Sequence, residues 1–149
     1  MIEFKQFVER FNKSDEAKLT SQIDIDKLEN EFKIFLPDDY NFFLLNFGNI
    51  WTPEILDLVV DKELDINDVQ DFWGIDKIIY DKKNEWASKV FPEIIPFASD
   101  CMGNIFAFMK NDLRLPRETA EIYFFDHDFN TVEKISPSFK NWLEKFNKI

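Results

Sequence analysis

Three clusters in this 149-residue sequence hold side chains capable of chemistry. Asp38-Asp39-Tyr40 lies inside LPDDYNFFLLNFGN (36–49), and two neighbouring carboxylates have the composition of a general acid–base pair. Asp126-His127-Asp128 offers oxygen and imidazole donors to a cation. Cys101 and His127, the single cysteine and single histidine, would make a nucleophile and base if two loops brought them together.

The elements that must position these groups favour plainer roles. Pro37 suits the first position of a helix, where its missing N–H costs nothing. Asp38 and Asp39 then fall in the first turn, where the helix dipole favours negative charge. Tyr40, Phe43, Leu44 and Phe47 make a core stripe, and Gly48 stands where a left-handed C-cap is needed. Adjacent helical residues do not face each other, so the acidic pair reads as a helix start. Asp126 to Asn130 lie between two strand-like runs, EIYFF (121–125) and TVEKI (131–135), and Asp and Asn at a hairpin tip ordinarily serve the turn. A lone thiol in a mixed apolar loop reads as packing. GxGxxG, P-loop and GxSxG motifs are missing, and three glycines, Gly48, Gly74 and Gly103, supply no phosphate-cradling loop. The reading is a non-enzyme with no cofactor and no metal.

Around these clusters the pattern predicts an α+β domain over residues 1–149. Phe4, Phe7, Val8 and Phe11 mark a first helix. Asp24 reads as the N-cap of a second, with Ile25, Leu28 and Phe32 on one side. EILDLVVD (54–61) and QDFWGI (70–75) read as short strands, with Gly74 at a bulge or bend. DKIIYDKKNEWASKV (76–90) predicts an outer helix with Ile78, Ile79 and Trp86 apolar. EIIPFAS (93–99) and NIFAFM (104–109) flank DCMG as a hairpin. In SPSFKNWLEKF, Ser136 reads as an N-cap and Pro137 as the first helical residue, before the stripe Phe139, Trp142, Leu143 and Phe146. The expected architecture is N-terminal helices, a central mostly antiparallel sheet and a C-terminal helix.

Composition narrows the class further. The 18 Phe, 4 Trp and 3 Tyr supply an aromatic core. A single cysteine forms no internal disulfide, which fits a reducing compartment. MIEFKQFVER has no continuous apolar segment of a secretion signal, and the longest apolar runs are far short of a membrane span. A cytoplasmic protein without a membrane is expected. The net charge of −11, from 29 acidic and 18 basic residues, argues against nucleic acid as a partner. Between Glu54 and Asp81, nine acids stand against Lys62 and Lys77. Such a stretch is either a solvated surface or a docking face for a basic partner.

Four segments, in order, resemble the SUKH superfamily, which groups fungal Smi/Knr-type cell-wall-assembly regulators with bacterial immunity proteins. They are IDIDKLENEFKIFLPDDYNFFLLNFGN, the aromatic-glycine element Phe72-Trp73-Gly74, IIPFASDCMGNIFAFM, and a terminal strand pair leading into the helix with Ser138 to Leu143. The likeness covers roughly residues 23 to 147. It departs after Gly48, where many relatives carry a second small residue and this chain has Asn49-Ile50-Trp51. The resemblance implies a non-enzymatic binding domain that neutralises a cognate toxin, many such toxins being nucleases or nucleic-acid deaminases; the alternative is a regulatory or scaffold role without a toxin. A nucleic-acid-cleaving partner presents a basic cleft, so the binding candidates are Asp57, Asp61, Asp65, Asp68 and Asp71, with Trp51 and Trp73 as aromatic anchors, Trp73 reading equally as a core residue. Asp100, Gly103 and Asn104 are expected to set hairpin geometry.

Overall fold

A computed structural model describes residues 1–15, 18–84 and 86–149, the backbone alone at Trp86. Helices α1 (Ile2–Phe11), α2 (Gln22–Phe32), α3 (Asp38–Asn46) and α4 (Ile55–Asp61) come first, followed by strand β1 (Asp71–Phe72) and helices α5 (Ile75–Asn84) and α6 (Trp86–Val90). Strands β2 (Ile94–Ser99), β3 (Ile105–Met109), β4 (Ile122–Asp126) and β5 (Thr131–Ser136) then precede the closing helix α7 (Phe139–Asn147). The five strands form an antiparallel sheet in the order β1-β2-β3-β4-β5. The α+β architecture is that expected from the pattern.

The apolar stripes read from spacing meet in one core. Phe4 and Phe7 of α1, Tyr40 and Phe43 of α3, and Phe139, Trp142 and Phe146 of α7 are buried against Phe72, Phe97, Phe106 and Phe108 of the sheet. Their rings meet mostly at tilted or edge-on angles, as for Phe4 on Phe139 and Tyr40 on Phe108. Each such pair contributes about 0.5–1.5 kcal/mol beyond the area it buries. On the opposite face of the sheet Ala87, Ile94, Ala107 and Phe125 form a smaller cluster under α6. Strand β3 is therefore covered on both sides, which explains its unbroken apolar run.

Several local expectations are corrected. Residues 55–61 are helical, not extended: Ile55, Leu58 and Val59 turn one side of α4 to the core at i, i+3, i+4 spacing. The cap of α2 is Ser21, whose Oγ accepts from the Asp24 N–H. The cap of α7 is Ser138, accepting from Asn141, while Ser136 ends β5. Pro37 is the extended N-cap of α3 and not its first helical residue. The single helix expected over 76–90 is two, α5 and α6. The part assigned there to the Trp86 side chain lies outside the described residues. Gly74 directly precedes α5, its carbonyl receiving the Ile78 N–H as the helix opens. The bulge lies instead in β2, between Pro96 and Ala98, where a proline is tolerated in a sheet.

The polar loop after β3 has a packing role. The carbonyls of Arg117 and Glu118 accept the N–H groups of Asp38 and Asp39, two otherwise unpaired donors at the start of α3. Asp39 bridges the start of its own helix and the start of α7. Its buried carboxylate accepts from the Lys140 N–H of α7 at 3.1 Å and from the Tyr40 N–H at 2.8 Å. Burial raises its pKa above the ordinary aspartate value, against the hydrogen bonds that lower it. At the other end of α7, Arg10 donates to the carbonyls of Phe146, Asn147 and Ile149.

Candidate partner-binding site

The segment around Trp51 runs along the outer edge of β1. Phe72 N–H donates to the Ile50 carbonyl at 3.0 Å, and Thr52 N–H to the Gln70 carbonyl at 2.7 Å. A groove of about 580 Å³ lies over this seam, walled by Lys18 to Thr20, Asn49 to Trp51, and Asp71 to Lys77. It brings together three of the seven candidates: Trp51, Asp71 and Trp73. Trp51 is 42% exposed and Leu19, on the opposite wall, 61%. Asp71 is half-buried, and burial raises its carboxyl pKa while the Lys77 charge opposes the rise. Trp73 is only 4% exposed. Its Nε1–H donates to Ser99 Oγ at 3.2 Å, and the Lys77 ammonium stands 4.5 Å from the ring centre.

The other four candidates separate by burial. Asp57 and Asp61 lie four residues apart on α4 and are exposed, as is Asp65 in the following loop. Asp68 is buried and reaches the turn after β2, where its Oδ2 accepts from the Cys101 N–H at 3.4 Å. Desolvation first, and the neighbouring Asp100 charge second, raise its pKa. Within the acidic stretch 54–81, Glu54, Asp57, Asp61, Glu63, Asp65 and Asp76 are exposed. Glu54 pairs with Lys13, Asp76 with Lys27 and the buried Asp81 with Lys77. Asp57, Asp61, Glu63 and Asp65 form no ion pair among the described residues.

The clusters first considered for chemistry hold turns together. Asp100 Oδ1 accepts from the N–H groups of Met102 and Asn104, and its Oδ2 from Asn104 Nδ2. Gly103 supplies a φ of +86° at the same turn, a conformation that costs glycine little. Asn104 Oδ1 in turn accepts from the His127 N–H at 3.1 Å and lies 2.6 Å from its Nδ1. The β2–β3 and β4–β5 turns are thereby joined by one asparagine. Asp126 accepts from Asp128 N–H, as a turn residue does. Burial and the carboxylates of Asp68 and Asp100 raise the Cys101 thiol pKa, the reverse of what an activated nucleophile requires. Among the described residues no three His, Cys, Asp or Glu side chains are grouped to hold a metal, and no helix is long and apolar enough to cross a membrane.

Sequence reasoning missed Lys77 and the seam that converts Trp51 and Asp71 into neighbours. Neither the Trp73 ring beneath Lys77 nor the groove beside it has a sequence signal. Residues 19–145 match the model of the SMI1 / KNR4 family (SUKH-1). No curated protein matches the chain.

Proposed function

The chain belongs to the SMI1 / KNR4 family (SUKH-1), and from that premise we propose that it is a non-enzymatic, cytoplasmic immunity protein that neutralises a cognate toxin by direct binding. The observation that carries this reading is the set of exposed acids that form no ion pair among the described residues, Asp57, Asp61, Glu63 and Asp65. A toxin that cleaves or modifies nucleic acid presents a basic cleft to phosphate, and carboxylates on an inhibitor occupy the same electrostatic position. Opposed charge raises association rates toward ~10⁸–10⁹ M⁻¹s⁻¹ at low salt, which suits a protein that must act before damage occurs. Asp57, Asp61, Asp65 and Asp71 form the contact face, and Trp51 is its aromatic anchor. Asp68 and Trp73 support that face from beneath, through the Cys101 N–H and Ser99.

The test is calorimetry with the C-terminal domain of a toxin encoded beside this gene, at two salt concentrations. Tight binding that weakens with salt supports docking through carboxylates. Tight binding indifferent to salt keeps the immunity role and discards the acidic face. No binding at either salt returns the family's other role, a regulatory scaffold without a toxin.

A further inference from the structure

Lys77 occupies a place that resembles a bound ligand more than a surface lysine. Its Nζ stands over the Trp73 ring at 4.5 Å and reaches Asp81 Oδ2 at 3.3 Å. Asp81 is buried, with 7% of its surface exposed, and Asp71 is half-buried on the groove side. Lys77 itself is 53% exposed along its side chain. Trp73 and Lys77 form the shared wall between the groove over β1 and a second cleft of about 320 Å³ between α5, α6 and β2. That cleft is lined by Asp81, Ser88 and Ser99, and Ser88 Oγ is buried there with no hydrogen-bond partner among the described residues. A buried hydroxyl left unpaired is uncommon, because its desolvation is not compensated.

An indole face, a buried carboxylate and an unsatisfied hydroxyl lining one cleft are a receptor for a cation with several donors. Lysine fulfils this partly: it is a point charge with three donors on a flexible stem. A guanidinium fits better, since it stacks flat on an aromatic ring and spreads five donors in one plane. We propose that Trp73, Asp81 and Ser88 form a receptor for an arginine side chain of the protein partner, and that Lys77 fills it in the free protein and yields on binding. This rests on the reading of the chain as a protein-binding domain and names one contact that such a partner makes. The exposed acids of α4 draw the partner in; the receptor selects the side chain that docks.

The experiment uses the full ¹⁵N-labelled chain and N-acetyl-L-arginine methylamide as the probe, followed by NMR through the Trp73 indole N–H, assigned with Trp73→Phe. The neutral citrulline analogue of the same shape is the control. Lys77→Ala should bind the arginine probe about tenfold more tightly than the wild type, as removal of an internal competitor filling the site about nine-tenths of the time requires. Adding Asp81→Asn should abolish the gain. Lys77→Gln, which keeps a long stem without the charge, repeats the test if the alanine variant does not fold. Absence of a Trp73 response in the vacated variants, or an equal response to the citrulline analogue, overturns the receptor. The titration needs no toxin, so its failure leaves the calorimetric test of function standing, and the reverse also holds.

Discussion

Gly48→Ala tests a close backbone approach at the end of α3. Gly48 follows α3 with φ +70°, and a methyl group there would lie 1.8 Å from the Lys18 carbonyl oxygen, 2.6 Å from its carbon and 2.9 Å from Leu19 Cα. A close C···O contact is roughly 3.3 Å, so the strand of chain at 18–19 must retreat, and no rotamer change can relieve backbone atoms. That retreat breaks or stretches two hydrogen bonds, Asn49 N–H to the Lys18 carbonyl and Thr20 N–H to the Leu44 carbonyl, each contributing about 1 kcal/mol. The left-handed φ adds about 1 kcal/mol for any residue with a Cβ. A loss of about 3 kcal/mol in all corresponds to a fall in Tm of roughly 6–12 °C for a domain of this length. Gly103→Ala is the internal control, because Gly103 has φ +86° but open space within 4 Å of the added methyl. It should cost only the backbone term, about 1 kcal/mol. Thermal and urea unfolding of both variants measures the difference. If Gly48→Ala falls within about 0.5 kcal/mol of Gly103→Ala, the close approach assigned to residues 18–19 is wrong, and with it one wall of the groove.

Three further outcomes are expected. Asp39→Ala leaves the Lys140 and Tyr40 N–H groups without their carboxylate acceptor, so urea unfolding should show a loss of about 2 kcal/mol; a variant as stable as the wild type would remove Asp39 from the α3–α7 joint. Burial raises the carboxyls of Asp39, Asp68 and Asp71 above their unfolded values, so the folded state holds protons more tightly than the unfolded chain. Their contribution is complete below the unfolded aspartate value of about 3.9 and is lost as pH rises through the raised folded values; Asp71→Asn should therefore reduce the gain in Tm seen as pH falls from neutral toward about 4, and an unchanged pH dependence of Tm would refute the assignment. Replacing Asp57, Asp61 and Asp65 together by lysine should leave Tm within a few degrees, since all three are exposed and form no ion pair among the described residues, while weakening toxin binding by roughly tenfold or more at low salt. Unchanged affinity in that variant would remove the acidic face.

How much was legible before folding depended on the distance over which each residue's energy is decided. The helices carrying Phe4, Phe7 and Phe11, or Phe139, Trp142 and Phe146, announce themselves because their stripes repeat within two turns. The two hairpins follow from turn chemistry: Asp100 and Gly103 act within four residues of each other. The run ILDLVVD did not reveal α4, because a short apolar segment rich in valine fits either period until the core chooses a face. The caps at Ser21 and Ser138 were each displaced from the residue first favoured, since several cap-forming residues stand close together and only backbone geometry selects one.

The sequence by itself determined an acidic α+β chain with an aromatic core, because charge, composition and periodicity are properties of neighbours along the chain. Tertiary structure alone decided that Asp39 holds a helix beginning 100 residues later, that Asn104 joins two turns, and that Trp51 and Asp71 share a groove beside Trp73 and Lys77. Those roles depend on which desolvated polar group finds a partner once the sheet closes, and a buried donor or acceptor takes the partner that packing brings to it, however far away it stands in sequence.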